Sequence, residues 1–242
     1  MRRAMQLADR VSINLEAANP GRLPALAPMK KFTEELLAPL KWAEEIRRSE
    51  PPRTWNGRWA STITQFVVGA SGESDLELLS TSEYLYKQLK LKRAYFSAFV
   101  PIQGTPLENH PAENPWREHR LYQASYLLRD YGFSMEELPF AQTGQLPLNQ
   151  DPKTAWAEQT LLHKPIELNK ASRAQLMMVP GIGPKSAAGI LNARRSQKIK
   201  TLDDLLKLGI AARRAAPYVL LDGKLPAYQM RLMEPVALAR LM

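Results

Sequence analysis

The sequence predicts an α/β fold, a short run of parallel strands joined by helices, followed by an all-helical, basic module. Three observations carry this. Strand-like and helix-like segments alternate through the first two thirds, the order expected of parallel strands with crossover helices. From Leu161 to Met242 there are 14 Lys+Arg against 5 Asp+Glu, and 19 against 19 before it, so the last third holds the whole formal charge of +9. That third also contains a Gly-Ile-Gly turn between two helix-like segments.

The elements follow in order. "RVSINLE" (10–16) sets Val11, Ile13 and Leu15 against polar neighbours and reads as the first strand. "KKFTEELLAPLKWAEEIRR" is helical, kinked or divided by Pro39. "TITQFVVGA" (62–70) ends in the apolar run of a strand buried on both faces. "GESDLELLSTSEYLYKQLKL" opens a helix with Ser74 and Glu77 at capping-box spacing and Leu76, Leu79, Tyr84 and Leu85 on one face. "RAYFSAFVPI" (93–102) is the third strand, and "WREHRLYQASYLLRDYG" is a helix stopped by Gly132. Three strands are few for a closed barrel and read as part of one. Residues 1–133 are therefore a partial barrel and 134–162 a linker with a short helix that Asp151 caps and Pro152 begins. The helical module spans 163–223, and 224–242 form a tail.

The 242 residues include no cysteine. Disulfides, thiolate zinc sites, a cysteine nucleophile and cysteine-held iron–sulfur clusters are excluded within the chain. There is no secretory h-region and no apolar run near the roughly 20 residues of a membrane helix, which makes the cytoplasm the expected location and a membrane partner unexpected. His110, His119 and His163 are too scattered for a metal site. Arg117, Arg120 and Gln123 read as a solvated helix face, with Tyr122 and Tyr126 in an aromatic core.

In the basic module, "LNKASRAQLMMVPGIGPKSAAGILNARR" reads as two helices around a tight turn, the first capped by Asn169 or Ser172. Pro180, Gly181, Ile182 and Gly183 make the turn. Both glycines permit positive φ, Ile182 is the hydrophobic plug, and Pro184 suits the start of the second helix. The N–H groups of Gly183, Lys185 and Ser186 then face an anion at a helix N-terminus, with the Lys185 charge beside them. These residues closely resemble the helix-hairpin-helix motif, which implies a grip on a DNA phosphate without base reading. It also implies a monovalent cation at the carbonyls of Met177, Val179 and Ile182. "TLDDLLKLGIAARRAAPYVL" resembles a degenerate second copy, with Gly209 in its turn and Arg213 and Arg214 after it. It lacks the second glycine.

At the predicted strand ends stand Asn14 and Glu16, then "GASGESD", then Ser97 in "SAFVPIQGTPL". The middle loop reads either as a ligand loop using its N–H groups and Glu73, or as a plain strand-to-helix turn capped by Ser74. "VVGASGESD", "AYFSAFVPIQGTPLE" and "ADRVSINLE" resemble the fifth, sixth and fourth strands of radical S-adenosylmethionine (SAM) enzymes. With "REHRLYQASYLLRDYGF" and the helix-hairpin-helix, nearly the whole chain resembles one family, the DNA modification/repair radical SAM proteins. The resemblance implies a radical-SAM-type βα barrel of which strands four to six are present. Asn14, Glu16, Gly69, Gly72, Glu73 and Ser97 would line the SAM or substrate side. The [4Fe–4S] cluster and SAM would require a cysteine-bearing N-terminal half, because the CxxxCxxC motif is absent. A uracil-DNA-glycosylase-like protein is the implied protein partner. Three functional readings follow: the C-terminal part of such an enzyme, a non-catalytic scaffold binding duplex DNA, and a protein–protein platform.

Overall fold

A sheet of three parallel strands organises the first two thirds of the chain. The computed structural model describes residues 1–52 and 57–227, and the chain divides into two units, Met1–Ala155 and Trp156–Met242. The first carries α1 (Arg2–Leu7), β1 (Arg10–Ser12), α2 (Leu23–Leu26), α3 (Ala38–Ser49), β2 (Ser61–Val68), α4 (Asp75–Gln88), β3 (Arg93–Ala98) and α5 (Pro115–Tyr126). The strands lie side by side in sequence order, β1-β2-β3, with Ser12 opposite Ile63 and Phe66 opposite Phe96. No helix among the described residues is long and apolar enough to cross a membrane.

Pro39 divides its helix as expected. Phe32–Leu37 forms a π-helical turn, and α3 begins with Pro39 in its first turn, where the missing N–H is harmless. Ser74 and Glu77 form the capping box of α4, and Gly132 ends its segment in the left-handed conformation at φ +81°.

Several expectations need correction. The first strand stops at Ser12 because the Leu15 N–H turns to the Thr64 hydroxyl at 3.1 Å. Pairing resumes only at Glu16, bridged to Phe66 at a left-handed φ of +64°. In β2 burial alternates: Thr62, Thr64, Phe66 and Val68 are inside, whereas Ser61, Ile63, Gln65 and Val67 are half-buried. The strand is thus fully buried on one face, not both. β3 ends at Ala98 rather than 102, where its N–H bonds to the Glu118 carboxylate at 2.8 Å. On α4 the buried face is Asp75, Leu78, Leu79, Ser82 and Leu85, while Leu76 and Tyr84 are each 42% exposed. Asp75 turns inward because Arg117 waits there as an ionic partner at 2.7 Å. Arg117 and Arg120 are accordingly buried, not solvated.

The unit boundary falls within α6 (Pro152–Thr160), whose start is held by Asp151 accepting from the Thr154 N–H at 3.0 Å. The second unit contains β4 (Ile166–Glu167), α7 (Arg173–Met178), α8 (Pro184–Ser196), α9 (Leu202–Lys207), α10 (Ala212–Ala215) and β5 (Val219–Leu220). It is not purely helical, since β4 and β5 pair in parallel and tie its two ends together. Residues 228–242, most of the expected tail, lie outside the described residues.

Candidate nucleic-acid interface

Two glycine-bearing loops each deliver the chain into a helix, and they treat their N–H groups in opposite ways. In the first unit the loop after β2 is closed on itself. The Glu73 carboxylate, in a residue only 2% exposed, accepts from the Gly69 N–H at 2.6 Å and from the Ser71 N–H and hydroxyl at 3.3 and 2.7 Å. The Leu76 N–H is taken by the Gly144 carbonyl and the Glu77 N–H by the Ser74 hydroxyl. Gly69 has φ +93°, and a Cβ there would collide with the Glu113 side chain. Its close approach is to the protein's own carboxylate.

Beneath this loop Arg117 gathers three acidic groups. It donates to Asp75 at 2.7 Å, Glu113 at 2.6 Å and the Glu73 carbonyl at 2.7 Å, with the Glu73 carboxylate at 3.6 Å. Burial raises the Asp75 carboxyl above its ordinary value, opposed by the Leu146 N–H and by Arg117. At the loop rim Arg22 grips Glu77 with two 3.0 Å bonds. That contact, before any other cause, lowers the Glu77 carboxyl to about 2.

The remaining sequence-predicted residues of this region are scattered along the strand ends. Asn14 accepts from the Ser12 hydroxyl at 2.7 Å, Glu16 pairs with Lys30 at 3.4 Å, Ser97 lies beside Val67, and Gly72 is exposed at φ +69°. His110 packs edge-on against Phe99 and His119 against Trp116, while His163 is exposed. Among the described residues no group of three His, Asp or Glu side chains could hold a metal.

The start of α8 is open. Ser172 rather than Asn169 caps α7, in a capping box with Gln175. Asn169 instead accepts from the Ile199 N–H and donates to its carbonyl, both at 2.9 Å. The chain leaves α7 through Val179 and Pro180, turns at Gly181 (φ +82°) and enters α8 with Gly183 at the N-cap. Gly183 itself has φ −111°, so the second glycine is not required by a left-handed backbone. Ile182 is 1% exposed and fills the space beneath the turn. The first backbone bond of α8 runs from the Ala187 N–H to the Gly183 carbonyl at 2.8 Å. Among the described residues no acceptor meets the N–H groups of Gly183, Lys185 or Ser186. Lys185 is exposed beside them.

The second hairpin buttresses the first. Gly209 turns at φ +70°, and Ile210, 3% exposed, repeats the plug. A Cβ on Gly181 would sit 2.9 Å from the Ala211 carbonyl oxygen and 3.2 Å from the Arg214 Cβ. Arg213 and Arg214 are exposed at the start of α10, which is only four residues long and offers a weak helix dipole. Sequence reasoning missed this contact because it depends on how the hairpins pack. Not every cation in the unit is available: Arg194 donates to the Leu168 and Ala171 carbonyls at 3.0 and 2.7 Å, and Lys198 pairs with Asp222 at 2.8 Å. At the carbonyls expected to hold a cation, that of Val179 accepts the Ile182 N–H at 3.1 Å.

No curated protein matches the chain significantly. Residues 163–210 match the family model of the helix-hairpin-helix motif, a stretch running from ahead of α7 to the plug of the second hairpin.

Proposed function

We propose that the chain binds duplex DNA without sequence preference, by seating a backbone phosphate on the N–H groups of Gly183, Lys185 and Ser186. The observation carrying this is the open start of α8 inside the helix-hairpin-helix match. N–H groups that lack partners at a helix N-terminus favour an anion, and Lys185 adds a full charge. Pro180, Gly181 and Ile182 set the turn, while Gly209, Arg213 and Arg214 belong to the buttress and add field from the side. A monovalent cation at the carbonyls of Met177, Val179 and Ile182 is part of the same reading. With three to six phosphates engaged, the log–log salt slope is roughly −3 to −5. Fluorescence anisotropy with duplexes of unrelated sequence tests this. Equal affinities and that slope support it; a slope near zero, or strong preference for one sequence, overturns it.

For the first unit, we propose descent from a radical-SAM-type barrel of the DNA modification/repair kind, favoured by three parallel strands standing in sequence order. The sequence has no cysteine, so these residues do not fit a [4Fe–4S] cluster, and Glu73 and Gly69 are committed to their own loop. By itself the chain is a non-catalytic scaffold. Radical chemistry needs a cysteine-bearing half, and a uracil-DNA-glycosylase-like protein is the partner this descent implies. Reconstituting the chain with such a half, iron and sulfide should restore SAM cleavage; absence of cleavage counts against the descent.

A further inference from the structure

The two edges of the three-stranded sheet are finished differently. Along the outer edge of β3 side chains cover the backbone. The Ala94 N–H bonds to the Tyr86 hydroxyl at 3.1 Å and the Phe96 N–H to the Tyr122 hydroxyl at 3.1 Å. The Phe96 carbonyl accepts from Tyr122 at 3.0 Å, and the Ala98 N–H bonds to Glu118 at 2.8 Å. No further strand can add there without displacing these groups. β1 has no such cover. Asp9 accepts from Ser61 and Ile13 donates to the Ile63 carbonyl. Alternation therefore turns the backbone N–H and C=O of Arg10, Ser12 and Asn14 to the outer edge. Among the described residues nothing bonds to those backbone groups, and Arg10 and Ser12 are exposed. An uncovered edge is a template for strand pairing.

We propose that this edge pairs antiparallel with β1 of a second copy of the chain, about a two-fold axis through Ser12. The register is self-complementary. Ser12 meets Ser12 of the partner, and Arg10 meets Asn14, so every outward-facing residue finds a hydrogen-bonded counterpart. The diagonal neighbour of Arg10 across the axis is Glu16, which gives opposite charges within reach. Pairing of β1 with β3 of another copy would propagate without limit, but the tyrosine and glutamate cover on β3 blocks it. Association through the single open edge therefore stops at two. The result is a continuous sheet ending at both sides in a covered β3. This inference is independent of the DNA-binding reading.

The absence of cysteine from the sequence makes a direct test available. Hydrogen-bonded antiparallel pairs have Cα atoms about 5.5 Å apart, within disulfide reach. Full-length Ser12→Cys, freed of nucleic acid, should cross-link to a dimer on mild oxidation, whereas Ser80→Cys on exposed α4 should stay monomeric. Sedimentation of the wild type should give twice the 27.3 kDa chain mass. Ser12→Pro removes only an outward N–H, a change an edge strand tolerates. It should sediment as a monomer with unchanged circular dichroism. A wild type that is monomeric throughout the micromolar range overturns the proposal. So does a Ser12→Pro variant that still dimerises, or equal cross-linking of the two cysteine variants.

Discussion

The loops at 69–74 and 181–183 look alike as strings of small residues ahead of a helix, yet only one is open to a ligand. The loop ahead of α4 consumes its own donors: Glu73, the Ser74 hydroxyl and the Gly144 carbonyl supply the acceptors. The loop ahead of α8 has no carboxylate, no side-chain cap and no returning carbonyl on Gly183, Lys185 or Ser186. Glycine content therefore does not identify an anion site. What matters is whether the protein itself supplies the acceptors.

The contrast predicts separable losses. The largest is at Arg117, whose removal leaves Asp75 and Glu113 buried and uncompensated. Arg117→Met should destabilise the first unit by about 3–5 kcal/mol, read by chemical denaturation, with duplex affinity unchanged. A fall in affinity at constant folding would tie the first loop to DNA and break the contrast. Next comes Gly181→Ala. The left-handed φ costs about 1–2 kcal/mol, and overlap with the Ala211 carbonyl adds roughly 1–3 kcal/mol. Gly209→Ala carries only the first penalty, since nothing lies within 4 Å of its added Cβ. Equal losses at the two glycines would mean that the hairpins do not lean on each other there.

Lys185→Glu should leave unfolding unchanged while weakening duplex binding by about 1.5–3 kcal/mol, roughly tenfold or more. It should also make the salt slope shallower by about one. Arg213→Glu should cost less, because α10 brings charge without an open helix start. The smallest effect is acidic. With Glu77 lowered from 4.5 to about 2, chiefly by its hydrogen bond from Arg22, its contribution to folding is fully present above about 4.5. It is lost as the pH falls towards 2. The stability gap between wild type and Glu77→Gln should close across that window, followed by thermal unfolding. The first turn of α8 contains no acidic residue and has no counterpart to this loss.

Local signals were legible in the sequence. Pro39, the Ser74 capping box, the Gly132 stop, the Asp151–Pro152 start and the Ile182 plug all act over a few residues, and the structure has each in place. The missed features depend on distant partners. Nothing near Asp75 announces that Arg117, 42 residues on, draws it inside and leaves Leu76 exposed. The Thr64 hydroxyl that interrupts the first strand comes from its neighbour. β4 and β5 are two residues each, too short for any periodicity to show. For the interface, the turn and its lysine were readable, whereas the support of Gly181 by Ala211 was not.

The most direct test of the open α8 start follows backbone amide resonances while duplex DNA is added at moderate salt. The account predicts shifts concentrated at Gly183, Lys185 and Ser186, with the amides of 69–77 and 212–214 little changed. Shifts at 69–77, or an unmoved 183–186 with DNA demonstrably bound, would contradict it.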